Sequence, residues 1–298
     1  MASGGVTVNS NLRETSPEPA RRDVDVEADW LAELRTVMMV AKRELLRFVR
    51  APGRLLTSLV LPLTFLLIFG VGLSRLVPSS GGVSFAQFLL PGMIAMIVVM
   101  AGLSNCVLVV WDREFGFLRE MLVAPPHRIS LVIGRIAGGS LVATAQGTVI
   151  LLLAPVLGVR LDLMTILATI AGVALLAITG TAVGMFLASW VRRMESFSAV
   201  MPLVTMPMML LSGAFFPISS LPVWLSVFIH INPLTYGVDI LRRVILSDHV
   251  ADARTQGEFA SGVEMFGHTL PIAVEAGFVA GLGLVAMAFT LRRFGRPE

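Results

Sequence analysis

The sequence predicts an all-α membrane protein with six transmembrane helices, and three observations lead there. Long stretches lack ionisable residues altogether: none lies between Arg54 and Arg75, between Arg135 and Arg160, or between Asp162 and Arg192. A helix needs about 20 apolar residues to cross a hydrocarbon layer of roughly 30 Å. Only helices and closed barrels satisfy every backbone polar group in lipid, and these runs are too uniformly apolar for barrel strands. The composition agrees: 55% of the 298 residues are hydrophobic and 14% charged, with a mean hydropathy of +0.83, whereas a soluble domain carries about a quarter charged residues. Finally, the charge of the connections alternates along the chain, as expected of a polytopic protein sorted by the positive-inside rule.

The first 29 residues are polar, include Pro17 and Pro19, and have no apolar core. They resemble neither a signal peptide nor a folded domain and read as a disordered cytoplasmic tail. Over residues 30–52, Trp30, Leu34, Val37, Met38, Ala41, Leu45, Phe48 and Val49 recur at helical spacing, with Lys42, Arg43, Arg47 and Arg50 among and opposite them. Directly before a span, this pattern predicts an amphipathic helix lying along the inner membrane surface. The alternative is a surface helix packed on protein.

The transmembrane domain occupies residues 53–298, with spans expected at about 55–75, 88–111, 132–157, 163–190, 197–214 and 270–291. One set of connections carries Arg54, then Arg113, Arg119 and Arg128, then Arg192 and Arg193, and finally Arg292, Arg293 and Arg296. That side is cytoplasmic by the positive-inside rule, which places both termini inside. The opposite connections carry little net positive charge; the last, from Asp239 to Glu264, sets Asp239, Asp248, Asp252, Glu258 and Glu264 against Arg242, Arg243 and Arg254.

The region from Ser196 to Val238 contains 43 residues without Asp, Glu, Lys or Arg, too many for one crossing and short for two plus a turn. Gly213, Pro217, Pro222 and Pro233 divide it into pieces. One crossing followed by short re-entrant helices on the outer side fits, since non-helical backbone at membrane depth must be covered by protein.

The sequence pI is near 9.9, but the arginines sit at the ends of apolar runs rather than on a soluble basic face, which excludes nucleic-acid binding. Cys106 is the single cysteine, so no internal disulfide forms. The four histidines are scattered over both sides with no pair at metal-helix spacing, and no metal site is expected. Gly134 with Gly138 and Gly180 with Gly184 are small-residue pairs that permit close helix approach.

Two stretches together resemble the membrane subunit of ABC-2 type ABC transporters, nearest to the daunorubicin-resistance-type multidrug permeases. One is WDREFGFLREMLVAPPHR at 111–128, similar to the family's loop after its second span; the other runs from LSGAFFPISSLP to NPLTYGVDILRR at 211–243, similar to its outer segment. The resemblance covers about residues 30–298. It implies that residues 112–122 form a cytoplasmic coupling helix that transmits movement from a nucleotide-binding subunit through Arg113, Glu114, Phe115, Gly116, Leu118, Arg119 and Leu122. Read from the residues alone, this stretch is also compatible with a solvated charged loop. In the outer segment the matching residues are Phe215, Phe216, Pro217, Pro222, Trp224, Pro233 and Tyr236.

No G-x-x-x-x-G-K-[ST] loop occurs, and the only lysine, Lys42, follows no glycine-rich loop. The resemblance therefore implies ATP and Mg on a separate ATPase subunit, no cofactor in this chain, and a second permease subunit, identical or paralogous. Candidate lining residues, from the family's use of its second and fifth spans, are Met100, Asn105, Thr205 and Met208, with lipid-facing filler as the competing reading. Glu275 in the last apolar run is an intramembrane carboxylate and so a candidate for substrate or proton handling; lying one turn from the outer end, it also has a snorkelling position within reach. Arg135 is read as a headgroup anchor.

The implied function is the permease subunit of an ATP-driven exporter in the inner membrane. One Tyr and four Trp offer few faces for stacking sugars, which points to a hydrophobic or amphipathic small molecule. A polysaccharide or glycolipid exporter is the alternative, and a proton-coupled secondary transporter the further one. The topology is testable with single cysteines at 128, 192 and 254 in a background without Cys106. An impermeant thiol reagent applied to intact cells should label position 254 and spare 128 and 192, and the reverse pattern would invert the orientation.

Overall fold

The computed structural model describes residues 26–72, 83–114, 128–191, 193–215, 223–247, 264–265 and 268–294. In chain order these form α1 (Val26–Val49), α2 (Pro52–Phe65) running into a π-helical segment (Leu66–Gly72), α3 (Phe85–Asn105), α4 (Val107–Glu114), α5 (Arg128–Leu151), a 3-10 turn (Ala154–Leu157), α6 (Leu163–Trp190), α7 (Met194–Leu210), α8 (Val223–Ile231), α9 (Pro233–Ile245), the two-residue antiparallel strands β1 (Glu264–Met265) and β2 (His268–Thr269), and α10 (Ile272–Phe294). Four helical stretches among the described residues are long and apolar enough to cross a membrane: Phe85–Trp111, Ile129–Leu157, Leu163–Trp190 and Ile272–Phe294. Leu56–Gly70 and Met194–Leu210 are apolar but shorter. They coincide with the expected first and fifth spans.

The helices start and stop where the chain supplies caps. Ser84 and Gln87 form a reciprocal capping box at the head of α3. Asp162 accepts the Thr165 N–H at 2.8 Å at the head of α6, and the Thr165 hydroxyl and amide hold its carboxyl below the usual carboxylate range. This cap is complete above the unfolded carboxyl pKa and is lost as pH falls through the lowered folded value. α7 ends at a turn in which Gly213 takes φ +70°, a left-handed conformation that favours glycine. Asn232 caps α9 through the Leu234 N–H, and Pro233 occupies the first turn, where its missing N–H costs nothing.

α3 is the central helix. It is buried along most of its length and touches α5, α6 and α9, which matches its apolar residues on all faces. Its two ends are fixed by polar contacts: Gln87 Nε2 donates to the Leu157 carbonyl at 3.1 Å, and Asn105 Nδ2 to the Gly139 carbonyl at 3.2 Å. The glycine pairs serve contacts within the chain. A Cβ on Gly180 would meet the Val99 backbone at 3.2 Å, and one on Gly184 the Leu103 Cα at 2.9 Å, so both seat α6 on α3.

Gly134 and Gly138 seat α1 on α5. A Cβ at Gly138 would lie 2.9 Å from Glu44 Cβ and 3.1 Å from Ala41 Cα, and one at Gly134 would lie 2.9 Å from Val40 Cβ. α1 starts at Val26, four residues before the expected Trp30, and residues 1–25 of the expected tail lie outside the described residues. Its pairing with α5 is the most extensive between helices. The predicted stripe is therefore split: Val37 and Ala41 face protein, while Leu34, Met38 and Val49 remain exposed with Met39 and Leu46. Lys42, Arg43, Arg47 and Arg50 are exposed as well.

Gly138→Val should lower the thermal unfolding midpoint in detergent by several degrees, corresponding to about 1–3 kcal/mol of overpacking. Gly277→Val is the control, because nothing lies within 4 Å of a Cβ there. Equal shifts for the two would contradict the α1–α5 seat.

Candidate functional site

Three places concentrate polar groups: one at the end where the arginine-rich connections gather, one in a cleft above it, and one at the far end. At the arginine-rich end, α4 finishes at Glu114, whose Oε2 accepts the backbone N–H of Met194 at 2.8 Å. The carboxylate thus satisfies one of the unpaired N–H groups at the head of α7, where the helix dipole favours negative charge. The same end carries Arg293, whose Nε donates to the Ser189 carbonyl at 2.9 Å and whose guanidinium lies 4.5 Å over the Trp190 ring. Of the expected coupling residues, Glu114 is placed by this bond and Arg113 lies in the last turn of α4. Phe115, Gly116, Leu118, Arg119 and Leu122 lie outside the described residues.

The cleft lies between α1, α5, α6 and the break between α3 and α4. Glu44, Arg47 and Arg135 stand with Asn105, Thr181 and Met185 on its walls. The Glu44–Arg47 pair is 3.4 Å apart and partly solvated, so it contributes little. Arg135, expected at the headgroups, lines this cleft in a half-buried position. Asn105 lines it too, whereas Met100, Thr205 and Met208 lie elsewhere. Met100 and Met208 are half-buried against the main core, Thr205 is half-buried on α7, and the Met208 carbonyl accepts from Asn232 Nδ2 at 2.7 Å. The structure does not gather the four candidate lining residues in one pocket.

The far end holds a buried ionic cluster. Arg243 Nη2 donates to Asp239 Oδ2 at 2.5 Å and to Glu275 Oε1 at 3.1 Å, while its Nη1 donates to the Leu270 carbonyl at 2.6 Å. Arg242 Nη2 donates to the Gly213 carbonyl at 2.7 Å, and its guanidinium lies 4.1 Å over the Phe88 ring. Asp239, Arg242 and Glu275 are 3%, 4% and 0% exposed. Glu275 is thus held inside protein by Arg243 and does not snorkel. Asp239 and Arg242 belong to a buried helix rather than to an aqueous outer connection, because α9 packs between α3, α6 and α10. Gly237 makes this seat possible, since a Cβ there would collide with the Leu176 side chain.

The remaining outer-segment residues frame that seat. Phe215 stacks obliquely on Phe65 at 5.7 Å, Pro233 opens α9, and Tyr236 is buried with its hydroxyl donating to the His230 carbonyl at 2.8 Å and its ring 4.6 Å from Phe278. Trp224 lies in α8 and Trp30 in α1; Phe216, Pro217 and Pro222 lie outside the described residues. The cluster's signal was present in the sequence as Asp239 and Arg243 four apart, on one helical face of a Pro-started segment. Assigning that segment to an aqueous connection concealed it.

A family model for the ABC-2 type transporter matches residues 35–246, spanning α1 through α9. The chain belongs to the ABC-2 type transporter family. It is similar to the putative transport permease ycf38 of Cyanophora paradoxa, at 28% identity over 214 residues covering 70% of this chain and 73% of the relative. Nodulation protein J of Rhizobium leguminosarum bv. viciae is 29% identical over 229 residues, 75% of this chain and 85% of the relative. The probable multidrug ABC transporter permease YbhR of Escherichia coli (strain K12) is 29% identical over 175 residues, 56% of this chain and 46% of the relative.

As an ABC-2 membrane subunit, the chain is a component of a transport permease, and family membership implies an ATPase partner. Glu114 is where the chain leaves α4 toward residues 115–127, so its bond to Met194 sits at the exit of that connection. Glu114→Ala should raise amide hydrogen exchange at Met194 and its neighbours. Glu114→Gln, which keeps an oxygen acceptor, should raise it less; unchanged exchange in both would show that the bond does not hold the head of α7.

Proposed function

We propose that this chain is the permease subunit of an ATP-driven exporter that moves a hydrophobic or amphipathic small molecule, a drug-like metabolite or a lipid, outward across the inner membrane. α2 with its π-helical extension and α7 complete the six crossings, and the arginine-rich end is cytoplasmic. A separate subunit supplies the ATP and Mg site, and a second permease, identical or paralogous, completes the conduit. The segment from Arg113 to Leu122 couples the two kinds of subunit, with Glu114 passing its motion to α7.

One observation carries the cargo reading: the surface that α7 leaves uncovered. Leu203, Met206 and Leu210 are 74%, 64% and 56% exposed, while Met201, Met208 and Met209 on the same helix lean against the core. Methionine is flexible and polarizable and adapts to varied apolar shapes. Tyr236 is engaged by the His230 carbonyl and Phe278, and Trp190 lies under Arg293. Stacked aromatic faces with polar edges are what a sugar polymer would use. The name of the multidrug permease relative supports the same reading.

Cells expressing the complex should accumulate less of at least one lipophilic cation or labelled lipid from a panel than cells lacking it, with no change in surface glycan. Loss of a surface polymer in the deletion strain, with drug and lipid accumulation unchanged, would replace this reading with polysaccharide or glycolipid export.

A further inference from the structure

At the far end two consecutive arginines reach in different directions. Successive helical residues project about 100° apart, so α9 can grip two neighbours at once. Arg242 grips the turn after α7 through the Gly213 carbonyl and α3 through the face of Phe88. Arg243 grips α10 through Glu275 and the residue leading into it, Leu270, while Asp239 one turn earlier holds its guanidinium in place. The short helix is pinned on both sides by charge-assisted bonds, the strong kind.

The same cluster is incompletely satisfied. Arg242 Nε is buried and has no hydrogen-bond partner. A buried polar atom left unpaired is costly, and more so when its group is charged. That deficit disappears once water reaches the guanidinium. The closed arrangement is therefore held by good bonds and penalised by a missing one, so opening this end to water costs less than the bonds alone would require.

We propose that Arg242 and Arg243 are the positioning residues of an outward gate. They clasp α9 against α3, the α7 turn and α10 while the far end is shut, and they release it to water when cargo leaves. This rests on the outward-transport reading above but not on the identity of the cargo.

The test uses the full complex, without nucleotide, in a Cys106→Ser background. A single cysteine replaces Leu234, which is fully buried on α9, or Val142, which is buried on α5 beside the cleft near the other end. Arg242→Met and Arg243→Met should each speed modification at position 234 by an impermeant thiol reagent at least about tenfold, equivalent to 1.4 kcal/mol, and leave position 142 slow. Arg243→Lys, which keeps the charge, should restore most of the protection. Should the methionine variants fail to assemble, Glu275→Gln serves instead, since it keeps shape and weakens the α10 tie; a smaller rise at 234 alone is expected.

Unchanged modification at 234 in assembled variants, or an equal rise at both positions, overturns the clasp, the latter because it reports general loosening. Neither result bears on whether the complex exports a small molecule, which the accumulation assay reads separately.

Discussion

Inside hydrocarbon a polar group has no water to turn to, and the rest of this structure follows from how the chain supplies partners for its own. Hydroxyls in the spans bond back one turn, as Ser140 does to the Ile136 carbonyl at 2.6 Å and Thr181 to the Ala177 carbonyl at 2.7 Å. Others tie helices together: Thr179 Oγ1 donates to the Val279 carbonyl at 3.1 Å, and Gln146 Nε2 to Ser58 Oγ at 3.2 Å. Apolar packing gives little preference for one helix neighbour over lipid, so close glycine contacts and these bonds decide which helices meet. The ionic cluster on α9 is the extreme case, with two arginines and two carboxylates made tolerable only by pairing.

These ties also form a mechanical loop. α3 and α4 lead from Phe88 at the far end to Glu114 at the arginine-rich end. Glu114 holds the head of α7, and the turn at the tail of α7 presents the Gly213 carbonyl to Arg242, which lies over Phe88. A Cβ at Gly92 on α3 would come within 2.7 Å of the Ala214 Cα, so α3 and the turn after α7 are also in close contact where the loop closes. In the proposed mechanism a push delivered next to Glu114 is carried by α7 to the clasp on α9. α7 itself has few helix neighbours among the described residues.

Much of the architecture was legible because its causes are local. Uncharged runs located the four membrane-length helices to within a few residues, and Gly213 and Pro233 marked the end of α7 and the start of α9 through backbone conformations that sequence specifies directly. The candidate site was legible in part. Glu275 and Tyr236 were singled out, but their roles depend on partners 32 and 6 residues away, Arg243 and His230, that no periodicity reveals. Likewise Gly134 and Gly138 announced a close helix contact without naming α1 as its occupant. Charge counting misplaced Asp239 and Arg242 because a buried ion pair and an aqueous loop contain the same letters.

In the proposed transporter, ATP hydrolysis on a partner subunit, passed through α4 and α7, drives cargo across this chain. This coupling is tested most directly in inverted vesicles containing the permease and its ATPase, with uptake of a responsive lipophilic probe measured while ATP and a proton gradient are supplied separately. Uptake is expected with ATP alone, and none when the nucleotide-binding lysine of the ATPase is replaced. Uptake driven by the proton gradient without ATP, and abolished by Glu275→Gln, would contradict it.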